Sequence, residues 1–184
     1  MVLDQAITLA RRVGLGGLTI GVLAEQTQLS KSGLFAHFKS KESLQLQVLA
    51  RAREEFEAAV MRPTLRTARG EPRVRALFEH WLAWDARPGG CPYVAAATEF
   101  DDQPGPVRDQ LVRDLRDMYD AVGTIFRSGI AEGHFRSDAD PEQFTQDLKG
   151  VILANHDTIR LFGDPRSELR ARRAFENLLA AART

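Results

Sequence analysis

The 184-residue sequence has a single cysteine, Cys91. That excludes an internal disulfide framework and fits a reducing compartment, so a cytoplasmic protein is expected. No run approaches the ~18–20 uninterrupted apolar residues of a membrane span. The opening MVLDQAITLARR has an amphipathic pattern, not a basic region followed by an apolar core, so no secretory signal is read there. Strand signals are scarce: no β-branched or aromatic run alternates over five or more positions between turns. There is no internal repeat, low-complexity segment, Gly-rich phosphate loop, nucleophile elbow or Cys/His pair close in sequence. The four histidines (37, 80, 134, 156) and the lone cysteine lack metal-ligand spacing. No metal, no cofactor and no enzymatic activity are therefore expected. Cys91 has no Lys, Arg or His within three residues to depress its pKa, which argues against redox sensing.

What is present is ordinary globular material, 43% hydrophobic and 27% charged, with enough chain to bury a sizeable core. Net charge is zero but unevenly spread. Residues 1–53 hold seven Lys/Arg against three acids, a net of +4, and the remainder eighteen against twenty-two, a net of −4. A basic head on an acidic body points to a polyanionic partner for the head, with chance asymmetry as the plain alternative.

Helical spacing runs through the chain. Leu3, Ala6, Ile7, Ala10 and Val13 share one face of a first helix, which GLGG (14–17) stops. Thr19 can cap a second helix carrying Ile20, Leu23 and Ala24, and Ser30 a third with Leu34 and Phe38. Ser40 or Lys41 opens a fourth that Pro63 is expected to end. Further helices are expected over about 71–85, over PYVAAATEF, from Pro104 or Pro106 to about 132, from Asp140 through Ile159 and Leu161, and from beyond Pro165 to about 183. The fold class is all-α: a three-helix head, then a larger helical bundle, about nine helices in all. The expected domains are 1–45 and 46–184.

Helices two and three are joined by QTQL, and LSKSGLFAHFKSKESL (29–44) is too polar to be buried on all sides. Two short helices in a tight turn, the second polar on its outer face, describe a helix-turn-helix, whose second helix places its N-terminal residues on base edges in the major groove. Here those are Lys31, Ser32 and Gly33. Leu34 and Phe38 face inward, His37 and Lys41 read as one turn apart facing a phosphate backbone, and the N-terminus of helix two, with Thr19, can hold a phosphate. The competing reading of Lys31, Lys39 and Lys41 is a solvated face, and of His37 a surface or capping histidine.

The segment LTIGVLAEQTQLSKSGLFAHFKSKESL resembles the DNA-binding domain of the TetR (tetracycline repressor) family of transcriptional regulators. The matching residues are Thr19, Leu23-Ala24, Leu29-Ser30, Ser32-Gly33, Leu34-Phe35-Ala36-His37-Phe38, Ser40-Lys41 and Leu44, and the likeness covers about residues 3–50. GGCPYVAAATEFDDQPGPVRD further resembles a stretch found in one subgroup of these regulators. Three departures stand out. Gln28 occupies the usual turn glycine, where a left-handed side-chain-bearing residue costs ~1 kcal/mol. Phe35 replaces the usual tyrosine, losing a phosphate hydrogen bond while keeping contact to a thymine methyl. No basic arm precedes the first helix, which implies reduced phosphate affinity or a trimmed N-terminus.

The resemblance implies a sequence-specific, ligand-responsive repressor that binds a palindromic double-stranded DNA operator as a homodimer, through Thr19, Lys31, Ser32, Gly33, Phe35, His37 and Lys41. It implies a small-molecule effector in the body, whose binding moves the helix at 106–132 and tilts the helix at 41–61. Candidate effector-lining residues are Trp81, Trp84, Tyr93, Phe100, Met118, Tyr119, Phe126, Asn155 and His156; aromatics at helical spacing are more often plain core. Asn155 and His156 interrupt an apolar stripe and need partners, from each other, water or a ligand. The dimer is expected from residues 141–161 and 166–182, with Phe144, Leu148, Ile152, Phe175, Leu178 and Leu179 as anchors. The alternatives are a helical small-molecule or lipid-binding protein without DNA function, and an enzyme in a helical bundle.

Overall fold

The computed structural model describes residues 2–184. Its elements are α1 (Val2–Gly17), α2 (Ile20–Thr27), α3 (Lys31–Phe38), α4 (Lys41–Phe56), a π-helical turn (Glu57–Met61), α5 (Arg62–Arg66), α6 (Glu71–Asp85), α7 (Pro92–Glu99), α8 (Pro106–Ala131), α9 (Pro141–Phe162) and α10 (Ser167–Ala182). Counting the unbroken helical run 41–66 as one gives nine helices among the described residues. Those residues form no strand; Phe135 and Arg183 make an isolated antiparallel bridge. No helix among them is long and apolar enough to cross a membrane.

Pro63 does not end its helix. The backbone widens into the π-helical turn just before it, and Pro63 enters the first turn of α5, where a missing N–H costs nothing. At the glycines of α1 the expectation is met differently. Gly14 takes φ 77, ψ 167 and breaks the ladder, and one more turn follows before the chain leaves. The positive φ strains any side chain there, and a Cβ would displace the Glu99 carboxylate from its present place.

The chain divides into two compact units. One joins the chain up to Phe56 with Arg87–Leu115, the other joins Glu57–Ala86 with Arg116–Thr184. This is a different line from the expected boundary after residue 45. In the first unit, Ala6, Ile7, Leu23, Leu34, Phe38, Leu44, Val48 and Leu49 are buried. They are the apolar face of each amphipathic helix, closed against one another. Tyr93 ties α7 into this unit: its hydroxyl donates to the Leu49 carbonyl (3.2 Å) and to Asp114 (3.1 Å), which also receives Arg53 at 2.9 Å. Burial beside that carboxylate pushes the phenol well above its ordinary pKa.

In the second unit, Phe78 stacks on Phe175 (4.0 Å) and Phe126 lies between Phe135 (4.6 Å) and Phe144 (4.1 Å). A Cβ on Gly129 would meet the Phe135 ring at 2.3 Å, so the close seating of that ring requires glycine. Toward the end of α9, Ile159 is 38% and Leu161 74% exposed; the buried stripe ends at Asn155 and His156.

Glu71 starts α6 and receives Arg183 (2.6 and 2.9 Å) and Arg75 (2.8 Å). The bond from Arg183, opposed by desolvation and reinforced by Arg75, holds its carboxyl near 2. A carboxylate whose folded pKa is depressed adds stability above its unfolded pKa and loses it as pH falls toward the folded value. We expect Glu71→Gln to lower stability at neutral pH by ~1 kcal/mol, since the guanidiniums are partly in water. It is also expected to flatten the stability profile between about pH 4.5 and about 2. Urea unfolding across that range measures both.

Candidate nucleic-acid interface

The head is assembled by its caps. Thr19 accepts the Val22 N–H (3.1 Å) and starts α2, Ser30 accepts the Gly33 N–H (3.1 Å) and starts α3, and Ser40 accepts the Ser43 N–H (3.0 Å) and starts α4. Each satisfies an orphan donor at a helix start, and α2 and α3, at eight residues each, are too short to hold themselves in water. Gln28 is left-handed (φ 57, ψ 21), as its place in the turn requires. Lys39 is a second residue with positive φ (65), between α3 and α4, which nothing in the sequence marked.

Within α3 only Leu34 and Phe38 are buried, by the i, i+4 spacing that fixes the helix to its unit. Every other residue of α3 faces solvent. Lys31 and Ser32 open the exposed face, and Ser32 donates to the Ser30 hydroxyl at 3.3 Å. A Cβ on Gly33 would stand 3.0 Å from that capping hydroxyl, so a side chain there would press on the cap. Phe35 is 59% exposed, a large apolar ring presented to water by a polar helix. His37 is exposed and lies edge-on to Phe38 at 4.6 Å. His37 and Lys41 are not one turn apart on a helix: α3 ends at Phe38 and Lys41 begins α4.

Lys31 reaches back over α2. A Cβ on Gly21 would stand 3.7 Å from the Thr19 hydroxyl and 4.0 Å from the Lys31 ammonium, so these two groups converge at the start of α2. Lys41 is exposed, and its ammonium donates to the Gly16 carbonyl at 2.6 Å. Ammonium groups, hydroxyls and helix N-termini on one unit can receive phosphate oxygens, while an exposed Phe and a short polar helix can enter a groove.

The candidate effector residues are not gathered on one unit. Tyr93 and Phe100 belong to the first, and Trp81, Trp84, Met118, Tyr119, Phe126, Asn155 and His156 to the second. Trp81, Trp84, Tyr93, Phe100 and Phe126 are buried, Met118 and Tyr119 half-buried. Lys149 stands 4.8 Å over the Tyr119 ring. The polar pair finds partners inside the protein: Asn155 accepts the Ser167 hydroxyl (3.0 Å), and His156 Nδ1 meets Asp85 at 2.7 Å. Both Ser167 and Asp85 are distant in sequence, so neither partner could be read from the chain.

Five of the six expected dimer anchors are consumed internally. Phe144, Leu148, Ile152, Phe175 and Leu179 are buried in their own unit, leaving Leu178 partly exposed. The same helices carry a second stripe, offset from the first, whose residues Gly150, Val151, Ala154, Thr158, Ala174 and Leu178 line an open groove of about 680 Å³. The strongest apolar stripe of each helix closes the subunit first, which is why it is not left for an interface. Cys91 is buried, and the fold brings Arg11 within electrostatic range of it despite their separation in sequence.

Two family models match the chain. One, described as bacterial regulatory proteins of the tetR family, covers residues 2–48; the other, described as tetracyclin repressor-like, C-terminal domain, covers residues 70–175. No curated protein matches the chain. Among solved structures, a TetR transcriptional regulator from Chloroflexus aurantiacus is 23% identical, with 97% of this chain and 90% of that one covered at a TM-score of 0.85. A putative transcriptional regulator from Saccharomonospora viridis in complex with choline is 21% identical, with 97% and 93% covered at 0.81. AibR in complex with isovaleryl coenzyme A and operator DNA is 19% identical, with 98% and 95% covered at 0.77.

Proposed function

The chain belongs to the tetR family of bacterial regulatory proteins, and from that premise we propose that it is a ligand-responsive repressor that binds a palindromic operator as a homodimer. The observation that carries this reading is α3: eight residues, two of them buried, with Lys31, Ser32, Gly33 and Phe35 turned outward from a capped N-terminus. Lys31, Ser32 and Gly33 read base edges, Phe35 meets a thymine methyl, and Thr19, His37 and Lys41 receive phosphates. DNA reading is the work of residues 1–45, and effector binding and pairing that of 46–184.

Two copies pair through the outer stripe of α9 and α10. Small residues at 150, 154 and 174 allow close helix approach, and Val151 and Leu178 supply apolar area, in a four-helix arrangement about a two-fold axis. Such a dimer places two copies of α3 on half-sites about one turn, ~34–36 Å, apart. An effector is the second partner. AibR was solved with isovaleryl coenzyme A and operator DNA, and the Saccharomonospora viridis regulator with choline, which supports a small-molecule effector here. Trp81, Trp84, Met118, Tyr119 and Phe126 are the candidate lining on the second unit, and Tyr93 and Phe100 on the first. Asn155 Oδ1 and His156 Nδ1 have partners inside the protein, so these residues orient a ligand through the Asn155 amide N–H groups and His156 Nε2. The effector shifts the balance between two states by its difference in affinity for them, and so acts on the helices at 106–132 and 41–61.

Selection from random duplexes at about physiological salt tests the reading. A palindrome is expected; no enrichment over non-specific binding would sink it. On the selected site, Lys31→Ala is expected to change preference at the contacted base by ~1–3 kcal/mol. Lys41→Ala is expected to weaken all sequences alike and to reduce the salt slope by about one. Uniform effects from both changes would remove Lys31 from base reading.

A further inference from the structure

Two helix ends in the first unit carry charges of the wrong sign. The last residue of α7 is Glu99, an anion at the negative end of its helix, and the first residue of α4 is Lys41, a cation at the positive end of its own. Both side chains go to the same place. Glu99 Oε2 accepts the Gly16 N–H at 2.6 Å, and Lys41 Nζ donates to the Gly16 carbonyl at 2.6 Å. Gln45, one turn further along α4, donates to the neighbouring Leu15 carbonyl at 2.8 Å and is buried. The last turn of α1 is thus held from both sides, its N–H by α7 and its carbonyls by the first turn of α4. Gly14 leaves room for the Glu99 carboxylate to come this close.

The held turn sits at a decisive position. Thr19, the cap of α2, is three residues beyond Gly16, and Lys41 is bonded to Gly16 itself. Two of the proposed phosphate contacts are therefore located by one peptide segment. We infer that Glu99 is a positioning residue for DNA binding: without touching DNA, its carboxylate fixes the α1–α2 turn and, through Gly16, the placement of Thr19 and Lys41 against the phosphates. The local rule broken at each helix end is repaid by this arrangement. The inference rests on the proposed DNA-binding function and deepens it, since it makes α7 part of the machinery that sets phosphate affinity while leaving base reading by α3 alone.

The test uses the full chain, the selected duplex and a random-sequence duplex of equal length, with affinity measured over a range of salt. Glu99→Ala is expected to weaken both duplexes by a similar factor of about tenfold, as for loss of one hydrogen bond in a polar setting, and to make the salt dependence shallower. Glu99→Gln keeps an oxygen acceptor and is expected to bind within about twofold of the unaltered protein. Wild-type affinity in Glu99→Ala overturns the inference, as does an equal loss in Glu99→Gln or a changed ranking between the two duplexes. Should Glu99→Ala not fold, Glu99→Gln decides with hydrogen exchange at the Gly16 amide. Slow exchange with affinity within about twofold supports the inference, and lost affinity, or fast exchange with retained affinity, overturns it. If the unaltered protein binds neither duplex, the proposed function fails rather than the role of Glu99.

Discussion

Phe38→Ala is expected to destabilise the protein by ~3–5 kcal/mol and to abolish DNA binding. The Phe38 ring is fully buried at the end of α3, with the His37 ring against its edge. Its removal costs the transfer free energy of the ring and leaves a cavity that the backbone cannot close. The helix it anchors has eight residues, which do not hold together in water without tertiary packing, and Leu34 would be its sole remaining buried side chain. The comparison is Phe35→Ala, three residues away. Phe35 is 59% exposed, so its loss is expected to change stability by no more than ~0.5 kcal/mol while weakening DNA binding. Urea unfolding and duplex binding on both variants separate the two roles. A stable Phe38→Ala protein with an intact head would refute the account of how α3 is held.

Asp85→Ala is expected to cost ~3 kcal/mol or more. Asp85 ends α6, His156 lies in α9, and both side chains are nearly inaccessible, 2% and 7% exposed, at 2.7 Å from one another. That length is typical of a charge-assisted hydrogen bond. Removing the carboxylate leaves a buried ring nitrogen with no acceptor, and breaking such a pair from one side commonly costs ~3–5 kcal/mol. Replacing both partners avoids the orphaned group, so Asp85→Ala with His156→Leu is expected to be more stable than Asp85→Ala alone. A double-mutant cycle in urea measures the coupling. Additive losses would mean that the two residues contribute independently, despite their distance. The pair also bears on the effector. A ligand held at His156 Nε2 meets a ring that Asp85 orients through Nδ1, and so touches a pair that links α6 and α9.

Much of the head was legible because its signals are local. A capping hydroxyl speaks to an N–H three residues on, so Thr19 and Ser30 could be placed from their immediate neighbours, and the start of the fourth helix narrowed to Ser40 or Lys41. The i, i+4 pair Leu34 and Phe38 fixed which side of α3 turns inward, and with it the outward set from Lys31 to Phe35. Gln28, at the position where the resemblance implies a turn glycine, is left-handed. These are interactions within one or two turns of helix, and the chain alone determines them.

Tertiary structure decided what depends on residues far apart in sequence. Local spacing makes Lys41 a phosphate contact or part of a solvated face, yet its ammonium also holds the Gly16 carbonyl, 25 residues away. Glu99, within the 46–184 segment expected to form the body, closes on the N–H of that same glycine. Asn155 and His156 stood out as polar breaks in an apolar stripe, but their partners, Ser167 and Asp85, lie 12 and 71 residues away. The apolar stripe of α9 and α10, expected at a dimer interface, is buried within its own unit, because periodicity shows that a face will be buried without showing against what. An amphipathic pattern is a property of one helix, and the choice of its partner is made by packing the whole unit, where the largest side chains fill the interior first and the smaller ones are left for a surface.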